Sequence, residues 1–245
     1  GSFMTHKESV AAGTGIIADH WALDLRLSNI GSDGYIDRAR ADLKSYYMQG
    51  AYYGNKSTLR LIAFAGMEET YHAWNYASKE EMEQYGRRYN SCGYMFTDET
   101  GKAHYYDGQT DNYMQQNYQL LFDHSFTNAL SMNVGLHYTK GDGYYQEYKD
   151  GRKLVEYALE PYTINGSEVK KSDLIRKKAM DNHFGGAVFS LSYRNSHINA
   201  TLGGGANRYF GKHFGHVLWV KEYVGDLVPN HEYYRNNGGK NDMNI

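Results

Sequence analysis

Cysteine, proline and long apolar runs are scarce in this chain of 245 residues, and each absence excludes a class of protein. The one cysteine, Cys92, excludes an internal disulfide framework and a cysteine-rich metal site. No apolar run reaches the roughly 18 residues that a transmembrane helix needs. Only 2 prolines occur, so few positions are unable to donate to a β-ladder.

The chain also has no marked excess of positive or negative charge. The 26 basic and 28 acidic residues give a formal net charge of −2, without the basic excess that marks a nucleic-acid partner. The abundant residues are tyrosine, with 25, and glycine, with 27. Because tyrosine fits a pleated surface, a chain rich in tyrosine and poor in proline is predicted to be all-β.

Apolar and polar residues alternate along several segments. In residues 130–139, one set of alternate positions is Leu130, Met132, Val134, Leu136 and Tyr138, and the other is Ser131, Asn133, Gly135, His137 and Thr139. Residues 21–28, 186–193 and 198–207 repeat the pattern. A period of two predicts strands with one apolar face, because a helix would spread the same residues around its axis.

Short and long connections alternate between these segments. Short hairpin turns are predicted at residues 14–19, 54–57, 124–129 and 194–197. Long connections are predicted at 30–41, 68–112, 141–178 and 210–230. Long loops kept at one end are typical of outer-membrane barrels, which have short periplasmic turns and long extracellular loops. The sequence therefore predicts about nine strands of a transmembrane antiparallel β-barrel.

In such a barrel the apolar face contacts lipid and the polar face lines a lumen. Polar residues predicted to face the lumen are Asp24, Arg26, Asn133, His137, Asn199, Thr201 and Asn207. Aromatic residues near strand ends are expected at the membrane interface: Trp21, Tyr46, Tyr47, Tyr52, Tyr53, Tyr138 and Tyr193.

Residues 11–54 resemble the barrel segment that follows the plug domain in TonB-dependent outer-membrane receptors. The most specific parts are "SDGYIDRA" at 32–39 and "DLKSYYMQGAYYG" at 42–54. Residues 105–122, 136–149 and 231–245 are similar to later pieces of the same barrel in the same order, so that the resemblance covers essentially the whole chain.

The resemblance implies a receptor of the Gram-negative outer membrane with a barrel of about 22 strands. Such receptors take up a scarce nutrient, such as a ferric siderophore, haem or cobalamin, with energy from TonB. Residues 1–245 are then expected to be part of the barrel, and the plug that contacts TonB and the remaining strands are expected to lie outside this chain. The implied partners are TonB through the plug, outer-membrane lipid, a small ligand such as a metal chelate, and a surface lipoprotein.

The segment 68–90 is the strongest candidate for contact with a ligand. Aromatic rings with polar tips offer a stacking surface and hydrogen bonds together. The candidate ligand-binding residues in the predicted extracellular loops are Tyr71, His72, Trp74, Tyr76, Tyr105, Tyr106, His213 and His216. Ser78 and Glu81 have the spacing of a capping box and predict a short helix in this segment.

His213 and His216 have a spacing of three, which suits a metal site only if a helix or tight turn presents both rings together. No carboxylate or cysteine stands next to them, so the sequence predicts two loop histidines and no metal site. It also contains no catalytic motif, and neither an enzymatic activity nor a cofactor is predicted. Two alternatives stay open: a small closed barrel acting as an adhesin or channel, and a soluble β-sandwich that binds glycans.

Overall fold

A computed structural model describes residues 1–227 and 229–244. Its strands are β1 His6–Gly13, β2 Trp21–Ser32, β3 Ala41–Tyr53, β4 Ser57–Tyr71, β5 Tyr94–Thr97, β6 Ala103–Tyr105, β7 Thr110–Ser125, β8 Leu130–Lys153, β9 Tyr162–Ile164, β10 Ser167–Val169, β11 Lys171–Arg194, β12 Asn199–Val220 and β13 His231–Asn244. One α-helix, α1, covers Lys79–Tyr85, and short 3-10 turns cover Ser2–Met4 and Leu154–Tyr157. Among the described residues, no helix is long and apolar enough to cross a membrane.

Nine of the strands form a single antiparallel sheet in the order β1-β2-β3-β4-β7-β8-β11-β12-β13. Each strand pairs with the next long strand along the chain, and β5–β6 and β9–β10 are separate small hairpins in the long connections. This arrangement confirms the prediction of about nine strands joined up and down. One sheet without a second sheet packed on it, among residues 1–227 and 229–244, is not the β-sandwich of the soluble alternative.

Strand register sorts the side chains into an apolar and a polar face. Leu120, Leu136 and Ala187 are paired in one row across β7, β8 and β11, and Ala206 of β12 continues it. The adjacent row contains Gln119, His137, Gly186 and Asn207 and belongs to the opposite face. Large apolar side chains on the first face are open to the surroundings; Leu61, for example, is 58% exposed. An apolar surface of this extent marks a lipid or protein contact.

The predicted interfacial aromatic residues divide between the two faces. Five of them share the apolar face: Trp21, Tyr46, Tyr52, Tyr138 and Tyr193. The prediction is wrong for Tyr47 and Tyr53, because each directly follows a tyrosine of the apolar face and strand alternation turns it to the polar face. The Tyr47 hydroxyl donates to the Gln49 side chain on that polar face at 2.9 Å.

The strands are longer at one end than the hydropathy pattern predicts. β8 and β11 contain 24 residues each, whereas about 9–11 tilted residues suffice to cross a bilayer. Residues 141–153 and 171–178, predicted to lie in a long loop, are therefore paired strand. Both faces of this part carry tyrosine, glycine and charged residues, so no apolar alternation marks it as strand.

The buried apolar core lies outside the apolar band, at the long-loop end of β8, β11 and β12. Its fully buried members are Leu154, Leu174 and Val217. Tyr157, Leu159, Tyr162 and Val220 complete the cluster. The 3-10 turn and the β9–β10 hairpin cover this cluster, and they fold the β8–β11 connection down onto the extended strands.

Arginine substitutions at adjacent residues of β7 test the assignment of the two faces. We expect Leu120→Arg to lower the free energy of unfolding in a lipid bilayer by about 2–4 kcal/mol, because a cation would replace an apolar group near the midplane. Gln119→Arg, one residue earlier on the polar face, should change it far less. Urea unfolding of the complete barrel in lipid vesicles measures both, and equal losses would contradict the assignment.

Candidate ligand-binding site at the long-loop end

The connection from β4 to β7, residues 72–109, is fastened to the sheet at its base. The buried Tyr71 hydroxyl hydrogen-bonds the carbonyls of Cys92 at 3.2 Å and Tyr106 at 3.1 Å. The Asn90 amide donates to the His72 carbonyl at 2.9 Å and accepts from the Cys92 backbone N–H at 3.0 Å. Cys92, which the sequence places in a loop, is a buried part of this packing.

Arg38, in the β2–β3 connection, contacts the same residues at the start of the β4–β7 connection. Its guanidinium lies 3.4 Å from the ring centroid of Tyr105 and 5.8 Å from that of Tyr71. It also donates to the Asn90 carbonyl. An arginine stacked on an aromatic ring forms a cation–π contact. The rings of Tyr71 and Tyr105 are thereby engaged within the protein.

The middle of the connection contains the predicted helix. Ser78 caps α1, its hydroxyl accepting from the Glu81 N–H at 3.1 Å while the Glu81 carboxylate accepts from the Ser78 N–H at 2.8 Å. This capping box is the one that the sequence predicts. Just before it, the side chain of Tyr76 is 99% exposed and that of Trp74 is 48% exposed.

Three aromatic rings meet on the polar face where β4 gives way to the connection. The ring centroids of His72 and Trp74 are 3.7 Å apart. Tyr145 of β8 approaches both rings edge-on, at 6.0 Å from His72 and 5.8 Å from Trp74. Asp111 of β7 is the residue opposite Tyr145 in the sheet. The arrangement is an aromatic slot with polar neighbours, open to solvent on the Trp74 side.

A buried ion pair stands beside these rings. The Glu147 side chain is only 5% exposed, accepts from Arg176 Nε at 2.8 Å, and lies 2.7 Å from Lys149 Nζ. Arg176 also donates to the Tyr157 hydroxyl at 3.1 Å, which connects the pair to the loop core. Burial disfavours the charged carboxylate, but hydrogen bonds from Lys149 and Arg176 outweigh it and hold the pKa of Glu147 below its usual value.

Two glycines on the polar face of the long-loop end leave room for neighbouring tyrosine rings. A Cβ at Gly143 would stand 2.8 Å from the Tyr113 ring, and one at Gly215 would stand 2.3 Å from the Tyr234 ring. Neither distance is compatible with a side chain, and at Gly143 the Asn112 carbonyl oxygen, 2.4 Å from the same Cβ position, excludes one even if the ring moves. Lys178 of β11 pairs with both Tyr145 and Gly215 in the sheet, so it extends among these rings.

The structure separates the two histidines of β12. His213 pairs with Met180 and His216 pairs with Lys177, and these two partners lie on opposite faces of β11. The two imidazoles therefore point to opposite sides of the sheet. His216 Nε2 lies 3.7 Å from a Glu232 oxygen, and the described residues contain no cluster of three or more histidine, cysteine or acidic side chains that could hold a metal.

The seven polar residues predicted to face a lumen share the polar face, and several of them take part in its hydrogen bonds. Arg26 Nε donates to the Ser9 hydroxyl at 3.1 Å, and His137 and Asn207 side chains are bonded at 2.8 Å. Asn133 donates to Asp123. The others lie on the same rows or adjoining ones: Asp24, Asn199 and Thr201.

Sequence reasoning missed Tyr145, Glu147, Arg176 and Lys178. The signal that was available is strand parity, because Tyr145 and Glu147 are an even number of residues beyond His137. It was not usable without knowing that β8 continues through residue 153.

Replacing one member of the buried ion pair tests its part in holding the site. We expect Glu147→Gln to lower the free energy of unfolding by about 3 kcal/mol, because Arg176 would stay buried without its counter-charge. Glu232→Gln, which breaks the exposed pair with Arg235, is the matched control and should have little effect. Denaturant titration compares the two variants, and similar small losses would show that the buried pair contributes little.

Acid should loosen the base of the connection through His72. Burial lowers the pKa of His72; the carboxylates of Asp111 and Glu147 and the nearby backbone of Thr110 oppose this shift, and Lys149 adds to it. The unfolded chain then takes up a proton before the folded one, so stability is complete above pH 6.5 and falls as the pH drops below it. The protection factor of the His72 amide, which donates to the Gln109 carbonyl at 2.8 Å, should fall between about pH 7 and about pH 5.5, measured as the intrinsic exchange rate divided by the observed rate at each pH.

The change should disappear in His72→Phe. An equal loss of protection in that variant would assign the effect to another group.

No family model and no curated protein matches this chain. Among solved structures, it is similar to BauA, the ferric preacinetobactin receptor from Acinetobacter baumannii, with a TM-score of 0.61 and 8% sequence identity over 99% of this chain. The ferric-catecholate import receptor Fiu from E. coli K12, in its closed form, superimposes with a TM-score of 0.47 and 9% identity, covering 99% of this chain and 45% of that one.

The match covers 36% of the BauA chain, so the present chain spans about a third of that receptor's length. Identity at this level establishes the architecture alone. The nine-stranded sheet, which is not closed within residues 1–227 and 229–244, is thus an open segment of a β-barrel wall of the kind found in a ferric siderophore receptor.

Proposed function

We infer that residues 1–245 are part of the barrel of an outer-membrane receptor that takes up a scarce nutrient with energy from TonB. The observation that carries this proposal is the fold shared with BauA over 99% of the chain. A ferric siderophore is the preferred cargo, with haem and cobalamin as alternatives. TonB acts through a plug outside this chain, and a surface lipoprotein is a further partner at the long-loop end.

The exposed apolar face supports a position in the outer membrane. Leucines, a valine and methionines of all nine strands of the sheet form one band, bordered by tyrosines such as Tyr46 and Tyr138. In lipid an unpaired strand edge is strongly unfavourable, because no water replaces the missing hydrogen bonds. β1 and β13 each pair with one neighbour among the described residues. A larger barrel, with strands paired to both, removes these edges.

The opposite face supports a polar lumen. The residues proposed to face it are Asp24, Arg26, Asn133, His137, Asn199, Thr201 and Asn207. Together they form a hydrophilic wall against which a plug domain can pack.

Cargo capture is assigned to the long-loop end. Trp74, Tyr76 and His213 have exposed side chains there, and His72, Tyr106 and His216 are partly or fully covered. Tyr71 and Tyr105 contribute by holding the β4–β7 connection in place through the hydroxyl bonds and the Arg38 contact described above. Rings with polar tips suit an iron chelate, which presents both flat groups and oxygen atoms.

Uptake by the complete receptor with and without TonB tests the proposed function. Cells that produce the receptor should bind and import a ferric chelate, and deletion of TonB should abolish import while binding stays. Import that persists without TonB would favour a passive channel. Absence of binding to ferric chelates, haem and cobalamin alike would contradict the receptor proposal.

A further inference from the structure

His72 is buried in a way that its own fold does not explain. The residue is 3% exposed, and neither ring nitrogen meets hydrogen-bond geometry with a partner among the described residues, although the Thr110 backbone is near enough to favour the protonated ring and oppose the lowering of its pKa. Its backbone is held on both sides, by Gln109 and by Asn90, so the ring cannot leave without breaking these bonds. A buried polar group without a partner is unfavourable, and natural proteins rarely keep one unless it serves a purpose.

Trp74 is the cover between His72 and solvent. Its indole covers the imidazole in a tilted arrangement, with ring centroids 3.7 Å apart and an interplanar angle of 33°, and 48% of Trp74 is exposed. Residues 72–74 lie between β4 and α1 without regular structure, and His72 and Asn90 anchor only the start of this stretch. The Trp74 side chain can therefore leave the stack without disturbing a strand or helix.

The slot under Trp74 has a defined chemistry. A neutral imidazole offers one N–H donor and one acceptor nitrogen. Tyr145 contributes a ring on the remaining side, at 6.0 Å from His72. The nearby carboxylate of Glu147 is already occupied by Arg176 and Lys149, which leaves Asp111 and Lys178 as the charged groups beside Tyr145. A ring that carries a hydroxyl group matches this combination of flat surface, donor and acceptor.

We propose that Trp74 covers a preformed binding slot, and that a hydroxylated aromatic group of the cargo displaces the indole and hydrogen-bonds the vacant nitrogens of His72. The inference rests on the proposed receptor function and narrows its cargo to chelates whose iron-binding groups are aromatic hydroxyls. In the empty protein the slot stays closed by Trp74, and the cost of the unpaired imidazole is recovered when the cargo binds.

The test uses the complete receptor and two probes, the iron(III) complex of 2,3-dihydroxybenzoate and that of acetohydroxamate, which has no ring. His72→Phe keeps a flat ring in the stack and removes both nitrogens. We expect it to weaken binding of the aromatic complex about tenfold, with unchanged or slower hydrogen exchange at residue 72. A residue with only a structural role would not lose affinity while its surroundings stayed intact.

His104→Phe is the matched control. His104 also stacks on an aromatic ring, that of Phe96, with centroids 4.7 Å apart, but its Nε2 is bonded to Asp98 at 2.7 Å. This variant should loosen the β5–β6 hairpin and leave the affinity unchanged. Fluorescence gives a second readout, because the signal change on binding should be reduced when Trp74→Phe removes the moving indole.

The outcomes separate this inference from the receptor proposal. Loss of aromatic-complex binding in His72→Phe alone supports the slot. Unchanged affinity in that variant, or wild-type binding of the hydroxamate complex in preference to the aromatic one, overturns the slot and leaves the receptor function standing. A wild-type receptor that binds no iron complex overturns both.

Discussion

Strand register is the constraint on which this structure depends. Because side chains alternate with a period of two, a slip of one residue at any pairing would turn an apolar row into a polar one across the rest of the sheet. In the described residues, register shifts of the main sheet occur only between Ser172 and Leu174, Ile175 and Arg176, and Gly215 and His216. All three lie at the long-loop end, and the apolar band is paired without interruption.

The site is a consequence of the same register. β8 is paired without interruption from Leu130 to Tyr148. The alternation of side chains therefore continues along this whole stretch, and His137 and Tyr145 lie on the same face. Pairing of β4 with β7 brings the end of β4 beside that surface, and the next residue, His72, turns to the Tyr145 side. The aromatic slot thus forms where three strands leave the apolar band together, and it needs no separate domain to position it.

The sequence predicts the strands in the part of the fold where the two faces of the sheet differ in polarity, because adjacent residues along a strand then alternate between apolar and polar. Alternation located the strands between the short turns, and the capping box at Ser78 located α1. Where both faces meet water the contrast vanishes, so the sequence pattern does not distinguish the continuation of β8 and β11 from a loop. The burial of His72 and Cys92 depends on Asn90, a residue distant in sequence from the strand it fastens, and no local pattern reports such a contact.

Different forces hold the two ends of the sheet. In the apolar band, side chains face outward and the sheet has no packed interior of its own, so its stability there derives from backbone pairing and from whatever apolar medium contacts the band. At the long-loop end, Leu154, Leu174 and Val217 are fully buried, and the Glu147–Arg176 pair joins this core through Tyr157. That end is built as a water-soluble protein is built, with a core and compensated charges. The proposed binding slot is therefore supported by a rigid base, and its imidazole lies close to a buried charge, Glu147, that is compensated.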